Sequence, residues 1–170
     1  EMISNGTGCF VDVNILASLG HLDAVAQAVE ESGMRAILGR GVTDLLADSK
    51  AKLSKEMVDA VWHSSTKGAL AEVNALLDRG LERADGRIRI WASIYGLMFY
   101  TSDDLFRGIA RIAQERGVPL AFHIASSREE ARFCKTRTGR WPISHLAKLG
   151  VLSERTLLTH CTLISDSEVE

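Results

Sequence analysis

An α/β fold is predicted by three features of the sequence. Strand-like and helix-like stretches alternate about five times, the connections are short, and two apolar runs close on a histidine where a helix is due, at His123 and at His160. The right-handed crossover rule turns that alternation into a parallel sheet covered by helices. An open dinucleotide-binding sheet is disfavoured, because Gly39-Arg-Gly41 lacks the third glycine and the following helix of a G-x-G-x-x-G turn. Residues Glu1 to Ser4 read like the tail of an earlier helix, and the chain from Ser165 stops inside a later one. The expected architecture is a partial (β/α)8 TIM-type barrel, with residues 1–170 as one central segment of about five consecutive βα units with parallel strands.

Each element has its own signal. Thr7 to Val13 is β-branched and aromatic and enters through the Asn5-Gly6 turn, which predicts a strand. Leu22, Val25, Ala26 and Val29 recur at the helical period, so a helix runs from His21 to Ser32 and stops at Gly33. Met34 to Gly39 is the next strand, followed by the loop Arg40 to Asp44. The charged, weakly periodic stretch from Leu45 to Ser65 is expected to be a long loop with a short helix around Lys55 to Trp62. Thr66 caps a helix from Lys67 to about Ala84 with Leu70, Val73, Leu76, Leu77 and Leu81 on its inner face. After the Asp85-Gly86 turn, Arg87 to Tyr95 reads as one strand, with Trp91 and Tyr95 on one face. Thr101 to Asp104 is a capping cluster for a helix from Leu105 to Arg116, closed by Gly117. Beyond the strand ending at His123, Ser127-Arg-Glu-Glu130 opens another helix, with both glutamates expected to be solvated at its start unless the helix begins differently and lets one act at the strand end. A short helix from Trp141 to Leu149 has Pro142 in its first turn and Gly150 at its end. Thr156 to Thr159 is the last clear strand, and Asp166 to Glu170 starts a final helix.

Composition excludes several classes of partner. With 46% hydrophobic and 25% charged residues the chain is globular and long enough for one core. A net charge of −2 without a basic cluster predicts no nucleic-acid partner, and no apolar run is long enough to span a membrane. No signal peptide is visible at the start. Cys9, Cys134 and Cys161 are odd in number and lack paired spacing, which predicts reduced thiols and a cytoplasmic protein. Cys9 and Cys161 stand in apolar surroundings and are expected to be small buried residues rather than ligands.

The chemistry concentrates at the strand ends. In an α/β barrel the carboxyl ends of the strands carry the site, and a neutral imidazole there can bind a metal or stabilise developing charge. Single strand-end histidines are also commonly satisfied by hydrogen bonds alone; two at barrel spacing favour one shared site. Trp91 and Tyr95 read as core residues, with Tyr95 at the strand's carboxyl end also a candidate to reach substrate, and Arg40 and Asp44 follow another strand as substrate-orienting candidates. Asp12 stands either at the barrel mouth or in an Asp turn. His21, His63 and His145 read as surface or packing residues.

Four blocks in register resemble one family. Glu1-Met-Ile-Ser-Asn-Gly-Thr-Gly-Cys-Phe-Val-Asp12, Gly33-Met-Arg-Ala36 with its strand, Gly117-Val-Pro-Leu-Ala-Phe-His123 and Leu157-Leu-Thr-His-Cys161 are similar to successive blocks of the amidohydrolase superfamily. The similar branch is the one holding cytosine, guanine and methylthioadenosine deaminases and triazine hydrolases. The resemblance implies that His123 is a ligand of one divalent metal, zinc or iron. It further implies that His160 contacts the substrate or the metal-activated water. Three family features are absent from the chain: an H-x-H pair on the first strand, an aspartate on the eighth, and a glutamate three residues after the fifth-strand histidine, where Ser126 stands instead. Serine does not shuttle protons near neutral pH as a carboxylate does.

Two function classes follow. The resemblance implies a metal-dependent hydrolase acting on C–N or C–halogen bonds of a small heterocyclic substrate through metal-activated water. The alternative is a non-catalytic amidohydrolase-like fragment that acts as a packing or interaction module. For the 170 residues alone no independent catalysis is expected, since one ligand does not hold a catalytic metal. Open sheet edges predict a homo-oligomer or packing against further barrel strands.

Overall fold

The computed structural model describes residues 1–15, 19–45, 58, 62, 65–80 and 83–169. Strands β1 (Cys9–Ile15), β2 (Arg35–Arg40) and β3 (Ile88–Ile90) pair in parallel in that order, and so do β4 (Ala92–Gly96), β5 (Leu120–Ile124) and β6 (Thr156–His160). Helices α1 (Leu19–Ser32), α2 (Thr66–Asp78), α3 (Asp103–Arg116), α4 (Arg128–Thr138), α5 (Pro142–Leu149) and α6 (Asp166–Val169) connect or follow them. The parallel α/β architecture matches the expectation. At the start of the chain Ile3–Asn5 form a 3-10 turn closed by Gly6 in the left-handed conformation.

The single strand expected from Arg87 to Tyr95 is interrupted at Trp91. Its neighbour β2 nevertheless runs alongside both parts. Trp91 N–H donates to Leu38 O at 3.1 Å, and Tyr95 N–H donates to Val42 O at 3.0 Å. Between them the Ser93 hydroxyl donates to Arg40 O at 2.9 Å, so a side chain takes the acceptor that a ladder amide would use. A Cβ on the facing Gly39 would collide with the Ser93 side chain, so only glycine fits there.

Side-chain alternation divides the sheet into two faces. Leu120, Phe122 and Ile124 of β5 pack with Leu105, Phe106 and Ile109 of α3, and the Phe106 and Phe122 rings meet edge to face at 5.6 Å. Ala36 and Leu38 of β2 pack with Leu22, Ala26 and Val29 of α1 and with Leu76 of α2. Ala121 and His123 have the opposite parity and lie on the face turned away from α3.

The helix ends follow local rules. Ser65, rather than Thr66, caps α2 by accepting from Gly68 N–H; Ser102 caps α3 and Ser127 caps α4 in the same way. Gly117 and Gly150 close α3 and α5 in the left-handed conformation, and Pro142 begins α5. The helix expected around Lys55 to Trp62 lies outside the described residues apart from Val58 and Trp62, where Trp62 N–H donates to Val58 O at 2.8 Å. Leu81 and His63 also lie outside them. Cys134 is buried and Cys161 half-buried, but Cys9 is exposed on the edge strand β1, because no neighbour covers that strand's outer side among the described residues. No helix among the described residues is long and apolar enough to cross a membrane.

Candidate active site at the carboxyl ends of the strands

His123 and His160 come together. They stand at the carboxyl ends of the paired strands β5 and β6, and their ring centroids are 5.2 Å apart. Strand parity alone would not do this, because the Cα register pairs His160 with Ile124, whose side chain packs against α3. The extended geometry ends at His160, which takes φ 79°, and Cys161 follows at φ 50°. That left-handed step, unusual for non-glycine residues, brings the His160 ring beside His123.

His123 is oriented from β4. Its Nδ1 lies 3.2 Å from Tyr95 O, and Tyr95 and His123 rings are 5.8 Å apart. A carbonyl only accepts, so Nδ1 carries the proton and Nε2 of the neutral ring presents its lone pair. Burial lowers the His123 pKa, helped by the nearby His160, against the opposing Tyr95 carbonyl, Asp12 and Glu130. The ring is therefore neutral at pH 7, the form that binds metal. Tyr95 is half-buried, and burial, Tyr100 and Glu130 raise its pKa, so its phenol stays protonated. The ring of Tyr100 lies 5.5 Å from that of Tyr95 and 5.7 Å from that of Trp62, forming an aromatic wall beside the histidines.

Other candidates are placed differently. Arg40 is buried on the helix-facing side of β2, and its Nε donates to Glu72 of α2 at 2.7 Å. Asp44 joins two helix starts: its carboxylate accepts from Ser102 N–H at 2.9 Å, and from the Ser102 and Thr66 hydroxyls at 2.6 Å each. Asp12 lies within β1 opposite Leu38, not in a turn, and its charge is felt at His123. His21 is exposed, whereas His145 is buried with Nε2 3.0 Å from Asp103 Oδ1, a packing role.

Glu130 departs most from expectation. It is fully buried instead of solvated. Its carboxylate accepts from Met98 N–H at 3.1 Å, from Ser126 N–H at 2.7 Å and from the Ser126 hydroxyl at 3.0 Å. The Ser-x-x-Glu spacing signalled a helix start, and nothing in the linear sequence brought Met98 near it.

A metal is consistent with one part of this arrangement. A ligating histidine normally donates its second ring N–H to a carbonyl or carboxylate, as His123 does to Tyr95 O. Among the described residues no group of three or more His, Cys, Asp or Glu side chains is placed to hold an ion.

Residues 1–170 match the model of the amidohydrolase family. The chain is 27% identical over 170 residues to a 5-methylthioadenosine/S-adenosylhomocysteine deaminase of Thermoanaerobacter pseudethanolicus, covering all of this chain and 35% of that protein. Its backbone superposes on an atrazine chlorohydrolase of Arthrobacter aurescens TC1, solved with zinc, with TM-score 0.78 and 22% identity over 98% of this chain and 36% of the other. A guanine deaminase of C. acetobutylicum gives TM-score 0.78 at 16% identity over 99% and 38%. At such identities the two structures establish the shared fold, and the chain spans about a third of the length of these relatives. The match over every residue, with the parallel strands that carry His123 and His160 at their carboxyl ends, shows that this chain belongs to the amidohydrolase family.

Proposed function

We propose that the protein carrying this chain is a metal-dependent hydrolase that cleaves a C–N or C–halogen bond of a small nitrogen heterocycle with activated water. The observation that supports this most is the His123 ring, turned by Tyr95 O so that Nε2 is free, beside the His160 ring at 5.2 Å. His123 would hold the ion, with zinc the first choice and iron the second. When bound, a divalent metal supplies Lewis acidity that lowers the pKa of its water to about 7. His160 hydrogen-bonds the substrate atom on which charge develops. The Tyr95 phenol donates to the substrate's edge, and Tyr100 and Trp62 extend the wall against which a planar ring packs. Arg40 acts on the scaffold through Glu72. The relatives' names, deaminases of a purine nucleoside and of guanine and a chlorohydrolase of atrazine, agree with this substrate class.

The test is metal analysis of the full-length protein, followed by ammonia and chloride release from a panel of aminated and chlorinated heterocycles. His123→Ala should lose the metal and reduce turnover by more than the roughly 10–100-fold that loss of a supporting partner costs. A wild-type protein that takes up no metal and is inert across the panel would refute the proposal in favour of a non-catalytic packing module.

A further inference from the structure

Glu130 occupies the third position of α4, where a glutamate after a serine cap normally reaches back to the cap's own backbone N–H. Half of that motif is present: the Ser127 hydroxyl accepts from Glu130 N–H at 3.1 Å. The carboxylate, however, passes beyond the cap. One oxygen takes Met98 N–H in the turn after β4, and the other takes the N–H and hydroxyl of Ser126 in the turn after β5. Burying a carboxylate completely is costly, and capping α4 does not require it. Spanning two strand ends does.

Those ends carry Tyr95 and His123. They already touch closely: Leu97 N–H donates to His123 O at 2.9 Å, and His123 Nδ1 bonds Tyr95 O. The turn after β5 is also tied to the chain after β6, through Thr162 N–H to Ala125 O at 3.2 Å. Glu130 is thus the side-chain fastener between the β4 turn and the His123 end of β5.

Resting on the functional reading above, we infer that Glu130 is a positioning residue that fixes His123 relative to Tyr95 and thereby sets the affinity of the site for its metal. The charge of Glu130 is felt at both Tyr95 and His123, as its closeness to them requires.

Zinc affinity of the full-length protein, measured by competition with a chromophoric chelator, tests this without relying on turnover. Glu130→Gln keeps the size but turns an amide NH2 against either Met98 N–H or Ser126 N–H. It is expected to weaken zinc binding by about 10–100-fold. Ile109→Ala, a truncation in the core beneath α3, should lower the melting temperature and leave zinc affinity unchanged. Wild-type affinity in Glu130→Gln, or a loss no larger than that of Ile109→Ala, overturns the inference and leaves the functional reading standing. Wild-type protein that binds neither zinc nor iron overturns the inference, and overturns the functional reading as well when it is also inert across the heterocycle panel. Should Glu130→Gln fail to fold, Ser126→Ala decides, since it removes one hydroxyl donor: weaker zinc binding supports the inference and unchanged binding overturns it.

Discussion

At Gly96 the backbone of β4 runs so near that of β5 that a methyl group would meet the carbonyl oxygen of His123, and φ is 93°. Both facts demand glycine, and both sit one residue from Tyr95. Gly96→Ala should cost about 2–5 kcal/mol in urea unfolding, from left-handed strain added to overpacking. A loss below about 0.5 kcal/mol, ordinary for a surface change, would contradict that reading of the contact. At this scale the sequence disclosed the residues whose chemistry is unusual for their place. His123 and His160 were legible because a histidine closing an apolar run is conspicuous. Gly96 and Glu130 were not, since their constraints come from chain segments about 30 residues away, His123 for the one and Met98 for the other.

Among the elements, Asp44 performs a task shared by two helices. Its carboxylate accepts from Ser102, the cap of α3, and from Thr66 at the start of α2, while Ser102 itself accepts from Leu105 N–H at 3.1 Å. Removing it leaves a buried-side amide and two hydroxyls short of an acceptor. Asp44→Ala should therefore destabilise by about 1–3 kcal/mol, and amide exchange should quicken first at Leu105 and Phe106; protection there equal to wild type would show the caps to be independent. Element identity was largely readable: α1 from its apolar period, α3 from Ser102 and Gly117, α5 from Pro142 and Gly150. The break at Trp91 was not, because apolar alternation continues across it. What interrupts the ladder is the Ser93 hydroxyl on Arg40 O, a bond that local spacing does not encode.

At the scale of the molecule, the outer strands among the described residues are β1 and β6, and each shows a large apolar side chain to solvent, Val11 at 40% and Leu157 at 41% exposure. Open edges of this kind pair with whatever strand is offered. The 170-residue chain expressed alone should self-associate in light scattering, and Val11→Lys with Leu157→Lys should raise the monomer fraction; an unchanged mass distribution would place the association elsewhere. Between those edges, pairing is irregular in the carboxyl halves of the strands, after Asp12 in β1 and between Ser93 and Gly96 in β4, with Gly39 pressed on Ser93 between them. Bulges and glycine kinks are where a parallel sheet acquires its curvature. Tyr95, His123 and His160 thus stand on strand ends whose bends are written into the backbone, and exchanging a side chain such as Tyr95 changes the chemistry presented there without altering the pairing beneath it.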